Sequence, residues 1–184
     1  MANIKKGNEI DIMGPLGRGY DVLSLTKEQT ALLVGGGIGV PPLYELAKQF
    51  NKRGIKTITI LGFNSKDEVF YEDEFKKFGE TYVSTVDGSV GTKGFVTDVI
   101  KKLQEENKLV FDKYYSCGPA PMLKALVNAV GEDGYISLEN RMACGIGACY
   151  ACVCKKKKKD KNKDDYSRVC YDGPVYLASD VEIE

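Results

Sequence analysis

Between residues 29 and 130 the apolar positions follow two patterns in alternation. Short runs of β-branched and aliphatic residues are each followed by a stretch whose apolar residues recur at three- and four-residue spacing, which reads as strand then helix. Gln29 to Phe50 (QTALLVGGGIGVPPLYELAKQF) is an apolar run, a glycine cluster and a helix opened by a proline pair. Lys56 to Asn64 (KTITILGFN) is β-branched and ends in a continuous apolar run, the signature of a strand buried on both faces. VFYEDEFKKFG predicts a short amphipathic helix and Thr81 to Val86 (TYVSTV) a third strand. In GFVTDVIKKLQEEN, Phe95, Val96, Val99, Ile100 and Leu103 lie near helical spacing. Lys113 to Cys117 (KYYSC) is a further strand, and it runs into CGPAPMLKALVNAVG, a glycine turn and another helix start. Strands alternating with helices predict an α/β chain built on an open parallel sheet, with ligands at the carboxyl ends of its strands. Both glycine turns, at 35–39 and at Gly118, fall at such ends. Upstream, Ile10 and Ile12 alternate with Glu9 and Asp11, predicting one strand before PLGRGY breaks the pattern.

Composition narrows the function more than the fold. With 184 residues, 43% of them hydrophobic, the chain can bury a core in one domain or two small ones. Lys+Arg and Asp+Glu are both 26, so no global basic field draws nucleic acid to it. No stretch approaches the ~20 apolar residues of a membrane span. The start, MANIKKGNEI, has no apolar signal core, so a reducing cytoplasm is the expected location. Histidine is absent. That excludes His-dependent triads, HExxH metalloproteases and Rieske clusters. The chemistry must come from cofactors.

Two stretches offer sites for them. In SLENRMACGIGACYACVC, Cys144, Cys149 and Cys152 stand at C-x4-C-x2-C spacing, and Cys170 in RVCYDGP completes the plant-type ligand pattern of a 2Fe–2S cluster. Gly145, Gly147, Ala148 and Ala151 leave room for backbone N–H groups to approach sulfur. Structural zinc usually takes two short C-x2-4-C knuckles, and here the grouping is three plus one. Disulfides suit a small secreted fold rather than a chain of this length without a signal peptide. Cys154 lies two residues past a ligand, so on an extended strand it shares a face with Cys152, and the loop geometry decides between them. The second stretch is VGGGIGVPP. A strand, a glycine turn and a helix start together favour a phosphate, through free N–H groups and the helix dipole. The sequence is not GxGxxG, and a plain tight turn is the alternative. Pro41 and Pro42 are tolerated because first-turn N–H groups have no intrahelical partner.

Taken together, LGRGY, VGGGIGVPPL, GFNSKDEVFYEDEF, CGPAPMLKA, SLENRMACGIGACYACVC and VCYDGPVY resemble the electron-transfer subunits of class 1B dihydroorotate dehydrogenases, members of the ferredoxin–NADP reductase superfamily. The resemblance covers nearly the whole chain. It implies a ferredoxin–NADP reductase-like nucleotide-binding domain at 25–138, a 2Fe–2S domain at 139–184, and at 1–24 the last strand and linker of an FAD-binding barrel. It makes Cys144, Cys149, Cys152 and Cys170 the cluster ligands, with Cys154 outside the motif. It puts Gly35, Gly36, Gly37, Ile38 and Gly39 by the dinucleotide phosphates, and Cys117, Gly118 and Pro119 beside the nicotinamide. For Cys117 a small core hydrophobe is the other reading.

The family's barrel motif for the flavin, of RxYS type, does not occur ahead of KKGNEIDIMGPLGRGY, so most of the FAD site is expected to be missing from these residues. The insert from Lys155 to Asp165 reads as a solvated hairpin tip. GFNSKDE offers Ser65 and Lys66 but no arginine pair for a 2′-phosphate, which favours NAD(H) over NADP(H). A hydride carries two electrons and a 2Fe–2S cluster takes one, so a flavin belongs between them. In the resembled complex the acceptor is the FMN of a separate catalytic subunit that oxidises dihydroorotate, which implies a hetero-oligomer. A stand-alone NADH-dependent iron–sulfur flavoprotein reductase and a non-enzymatic iron–sulfur module are the rival functions.

Overall fold

The computed structural model describes residues 4–157 and 165–183. Its frame is a sheet in the order β4-β3-β2-β1-β5-β6-β9. The strands are β1 (Thr30–Gly36), β2 (Lys56–Phe63), β3 (Gly79–Thr85), β4 (Thr92–Lys93), β5 (Lys113–Cys117), β6 (Gly134–Ser137) and β9 (Val175–Leu177). All pairs are parallel except β6 with β9. A separate hairpin joins β7 (Val153–Lys155) to β8 (Tyr166–Arg168). The charged tip expected within 155–165 falls mostly at 158–164, outside the described residues.

The continuous apolar runs become central strands because helices cover both faces. Successive residues of β1 point to opposite sides. Ala31 and Leu33 pack with α1 (Val40–Lys52), which buries Leu43, Leu46, Ala47 and Phe50. Leu32 and Val34 pack with α3 (Val96–Glu105) and α4 (Ala120–Val130), through Val99, Ile100, Leu103, Leu123 and Leu126. Burying side chains of this size contributes about 1.5–3 kcal/mol each. The second core also takes in Cys152, Val169, Cys170, Ala178 and Val181. Together with β9, that shared core fastens the C-terminal segment to the nucleotide-binding sheet across the expected division at 138.

Two local expectations are corrected. The strand at Ile10 and Ile12 does not form; these residues have no ladder partner among the described ones, and Ile12 is 83% exposed. A lone strand leaves its N–H and C=O groups to water, and alternation alone cannot overcome that. The helix expected over VFYEDEFKKFG shrinks to one turn, α2 (Glu72–Phe75). Tyr71 sits in the left-handed region at φ 65°, which ends any helix arriving from its N-terminal side.

The chain runs outward from β1 through β2, β3 and β4, then returns to β5 on the other side of β1. The switch point therefore lies between β1 and β5, where Gly35 is the register partner of Cys117.

Candidate functional site

At the carboxyl end of that switch point the two glycine turns pack against each other. A Cβ on Gly39 would collide with the carbonyl oxygen of Cys117, and one on Gly36 would press into the Met122 sulfur. These glycines are small because another backbone or side chain passes close by. Gly35 packs instead against Val40 and Leu43 of α1. Only Gly37, at φ 52°, needs the left-handed conformation, and no atom of the fold crowds it. Ile38 is 76% exposed. Neither α1 nor α4 has a side-chain cap at its start, and each carries proline in its first turn. Their remaining first-turn N–H groups are left to a ligand or to water.

In front of these turns is a cleft of 390 Å³ at the ends of β1, β2 and β3. Gly36, Gly37 and Pro119 line it, with Phe63, Phe95 and Met122 supplying apolar wall. Ser84 is fully buried and also lines the cleft, and its hydroxyl has no hydrogen-bond partner. An orphaned buried hydroxyl is costly unless something in the cleft satisfies it. At the far end Glu68 faces the same space, its Oε2 accepting from Asn64 Nδ2 at 2.8 Å.

Cys117 lies under the turns, 4% exposed, with burial pushing its thiol up and a Ser137 hydrogen bond opposing that. Tyr20 approaches from the N-terminal segment; its hydroxyl donates to the Ser116 carbonyl at 2.8 Å, and its pKa is raised by burial and then by the nearby Cys117.

The other cysteines gather in the loop between β6 and β9. Cys144 pairs with Cys149, and Cys152 with Cys170, whose N–H points at Cys152 Sγ from 3.4 Å. Backbone N–H groups of Cys149, Ile146 and Ala148 turn toward Cys144, with help from the Cys149 thiol, and its pKa is lowered to about 6. Gly145 at φ 73° and Gly147 at φ 80° bend the loop so that these amides converge. Converging amides of this kind form an anion-binding nest. The Cys170 thiol is raised, chiefly by its hydrogen bond with Cys152. Among the described residues no three His, Cys, Asp or Glu side chains converge on one metal ion. Two neighbouring thiol pairs suit a group with two irons that takes four thiolates. Cys154 stands apart on β7, its thiol raised by burial and set beside Tyr176.

Residues 33–128 match the oxidoreductase NAD-binding domain, and residues 139–182 the iron–sulfur cluster binding domain of dihydroorotate dehydrogenase B. Over all of its length the chain is 94% identical to the electron transfer subunit of dihydroorotate dehydrogenase B (NAD(+)) from Fusobacterium nucleatum subsp. nucleatum, covering 70% of that protein. The chain belongs to this family of electron transfer subunits. Its relative from Lysinibacillus sphaericus is 55% identical over 96% of the chain and 66% of that protein. The solved NADH-dependent reduced ferredoxin–NADP oxidoreductase is 32% identical, with a TM-score of 0.80 over 98% of this chain and 63% of that one. The chain thus spans between 63% and 70% of these relatives. Like the rest of the family it is an oxidoreductase component of ferredoxin–NADP reductase-like fold, with an NAD-binding and an iron–sulfur part. Among the described residues no helix is long and apolar enough to cross a membrane.

Of the residues singled out in the sequence, Gly36, Gly37 and Pro119 line the cleft, while Gly35, Gly39, Cys117 and Gly118 are buried and do not line it and Ile38 points to solvent. Sequence reasoning missed Glu68, Ser84, Phe95 and Met122. An acidic residue shortly after the second strand is a readable signal for Glu68. The other three have none, because only the fold brings them together.

Proposed function

We propose that this chain passes electrons between NAD(H), FAD and a 2Fe–2S cluster, to or from the FMN of a partner dihydroorotate dehydrogenase catalytic subunit in the cytoplasm. The observation that carries this reading is the joining of two sites by one buried core and one sheet. The cleft at the β1/β5 switch point and the paired-thiol loop share a sheet and a core.

In this reading Cys144, Cys149, Cys152 and Cys170 would hold the cluster as its four thiolates. The division into a nucleotide-binding part at 25–138 and a cluster part at 139–184, with 1–24 as the flavin-side linker, is a division of labour within one packed unit. The diphosphate lies along Gly36 and Gly37, where uncapped helix starts offer N–H groups and positive dipole ends. Ser84 finds its missing partner in the bound nucleotide. Glu68 accepts from the adenosine ribose 2′-hydroxyl and repels a 2′-phosphate, so NAD(H) is preferred. Cys117 and Gly118, held against Gly39, and Pro119, held against Gly36, would support the nicotinamide. The amide nest around Cys144 favours a thiolate before any iron arrives. When bound, the flavin supplies two-electron to one-electron conversion and the cluster a one-electron relay.

The test is anaerobic NADH titration of the iron-loaded chain with and without added FAD and the catalytic subunit. Bleaching of the cluster absorbance should depend on FAD, and stable association with a dihydroorotate-oxidising FMN subunit is expected. Rapid bleaching without any flavin would overturn the electron route. Activity with a small acceptor and no such partner would favour the stand-alone reductase, and failure to bind nucleotide would favour the non-enzymatic module.

A further inference from the structure

Two separate stretches supply the four thiols, residues 144–152 and the turn at Cys170, and one side chain spans them. Arg168 leaves the end of β8 and its Nη1 donates to the carbonyl oxygen of Gly147 at 3.0 Å, inside the first stretch. Its Nε donates to Asp172 Oδ2 at 3.0 Å and its Nη2 to Asp172 Oδ1 at 3.4 Å, inside the second. Asp172 Oδ2 also accepts from the Arg168 N–H at 2.9 Å, and the Arg168 carbonyl accepts from the Asp172 N–H at 2.8 Å. The guanidinium lies between two rings, 5.3 Å from the centroid of Tyr150 and 4.7 Å from that of Tyr171. Each tyrosine is the chain neighbour of a paired cysteine, Cys149 and Cys170. Gly147 is packed against Tyr171 so closely that a Cβ there would come within 2.8 Å of the Tyr171 Cβ and 2.9 Å of its ring.

We propose that Arg168 and Asp172 form a positioning clamp that ties the Cys170 turn to the Cys144–Cys152 loop and, through its balanced charge, sets the reduction potential of the cluster held there. The inference rests on the reading of Cys144, Cys149, Cys152 and Cys170 as ligands. Only a planar fork with several donors can reach a carbonyl and a carboxylate at once while staying close to two rings, and lysine cannot do this. The pair is close to neutral as it stands. Removing the cation leaves a carboxylate beside the cluster, which disfavours an added electron; removing the anion leaves a cation, which favours one. A brace with no electrostatic role would not produce shifts of opposite sign.

The experiment is anaerobic redox titration of the intact iron-loaded chain, followed by cluster absorbance, for the unsubstituted protein and for R168Q, R168K and D172N. Iron and sulfide contents are measured on each. In R168Q the ratio of reduced to oxidised cluster at fixed poise should fall about tenfold, which is about 59 mV for one electron. In D172N it should rise severalfold. R168K should stay within about threefold of the unsubstituted ratio, because it keeps the charge, yet lose iron faster in air, because it loses the fork. If R168Q cannot hold iron even anaerobically, the tie between the two stretches is supported and D172N decides the charge role. Shifts of the same sign in R168Q and D172N, or potentials and air lability unchanged in all three, would overturn the clamp. An unsubstituted chain that binds no iron–sulfur cluster would instead overturn the ligand reading on which it rests.

Discussion

The two glycine-rich loops use glycine for different reasons. At 35–39 it provides room: Gly35, Gly36 and Gly39 have ordinary backbone angles and stand where α1, Met122 or Cys117 presses in. Strand and helix hold that loop on both sides, so its shape exists before any ligand arrives. At 145 and 147 glycine provides backbone angles, with φ near 73° and 80°, in a loop with no strand or helix of its own. There the amides point at a sulfur, and ligand binding contributes to the folding of the loop. One site is preformed by packing and the other is completed by what it binds.

The cysteine series breaks that comparison most sharply. Cys144→Ser, Cys149→Ser, Cys152→Ser and Cys170→Ser should each abolish the cluster by iron and sulfide analysis while NAD(H) affinity changes by less than about threefold, or ~0.6 kcal/mol. Cys154→Ser should keep the iron. The ligand set would be wrong if Cys154→Ser lost iron while one of the four retained it. Cys152 and Cys170 are also core residues, so serine there should lower stability by a further ~1–3 kcal/mol.

Gly39→Ala attacks the preformed side. Its methyl has to displace the Cys117 backbone, and overpacking of this kind costs about 1–3 kcal/mol. Nucleotide affinity by calorimetry should fall about tenfold, ~1.4 kcal/mol, with iron content unchanged. Equal affinity in the variant would show that the contact between the two turns does not shape the cleft.

The smallest effect is expected at Glu68, an exposed charge at the mouth of the cleft. Glu68→Gln should reduce the preference for NAD(H) over NADP(H) by about three- to fivefold, since one charge at the surface is worth at most ~1 kcal/mol. Titration with both nucleotides measures it, and an unchanged ratio would remove Glu68 from the specificity argument.

Much of the sheet was legible because its strands are buried on both faces. Lys56 to Asn64, with its continuous apolar end, and Lys113 to Cys117 both read as strands, and each has a parallel neighbour on both sides. Periodicity misled at Ile10 and Ile12, which have no ladder partner among the described residues. It was silent for β6 to β9, because strands of three or four residues are too short to show a period. The four cysteines could be singled out because ligand spacing is a local pattern, and the structure sets Cys144 beside Cys149 and Cys152 beside Cys170. Ser84 could not, since an orphaned hydroxyl is a fact of packing. Nor could Arg168, whose partners at 147 and 172 become neighbours only after the loop has closed.

The antiparallel strand β9 has a consequence for that closure. The chain leaves the sheet after β6 and comes back beside it, with the Leu138 N–H donating to the Pro174 carbonyl at 2.9 Å. All four paired cysteines therefore lie on a circuit whose two ends are pinned together by the sheet. Gathering them loses less chain entropy than it would on a free tail, because the ladder has already met the cost of bringing the ends together. The hairpin of β7 and β8 repeats the device on a smaller scale within the circuit. Its ladder, from Val153 with Arg168 to Lys155 with Tyr166, brings Cys152 and Cys170 to the same end of the hairpin.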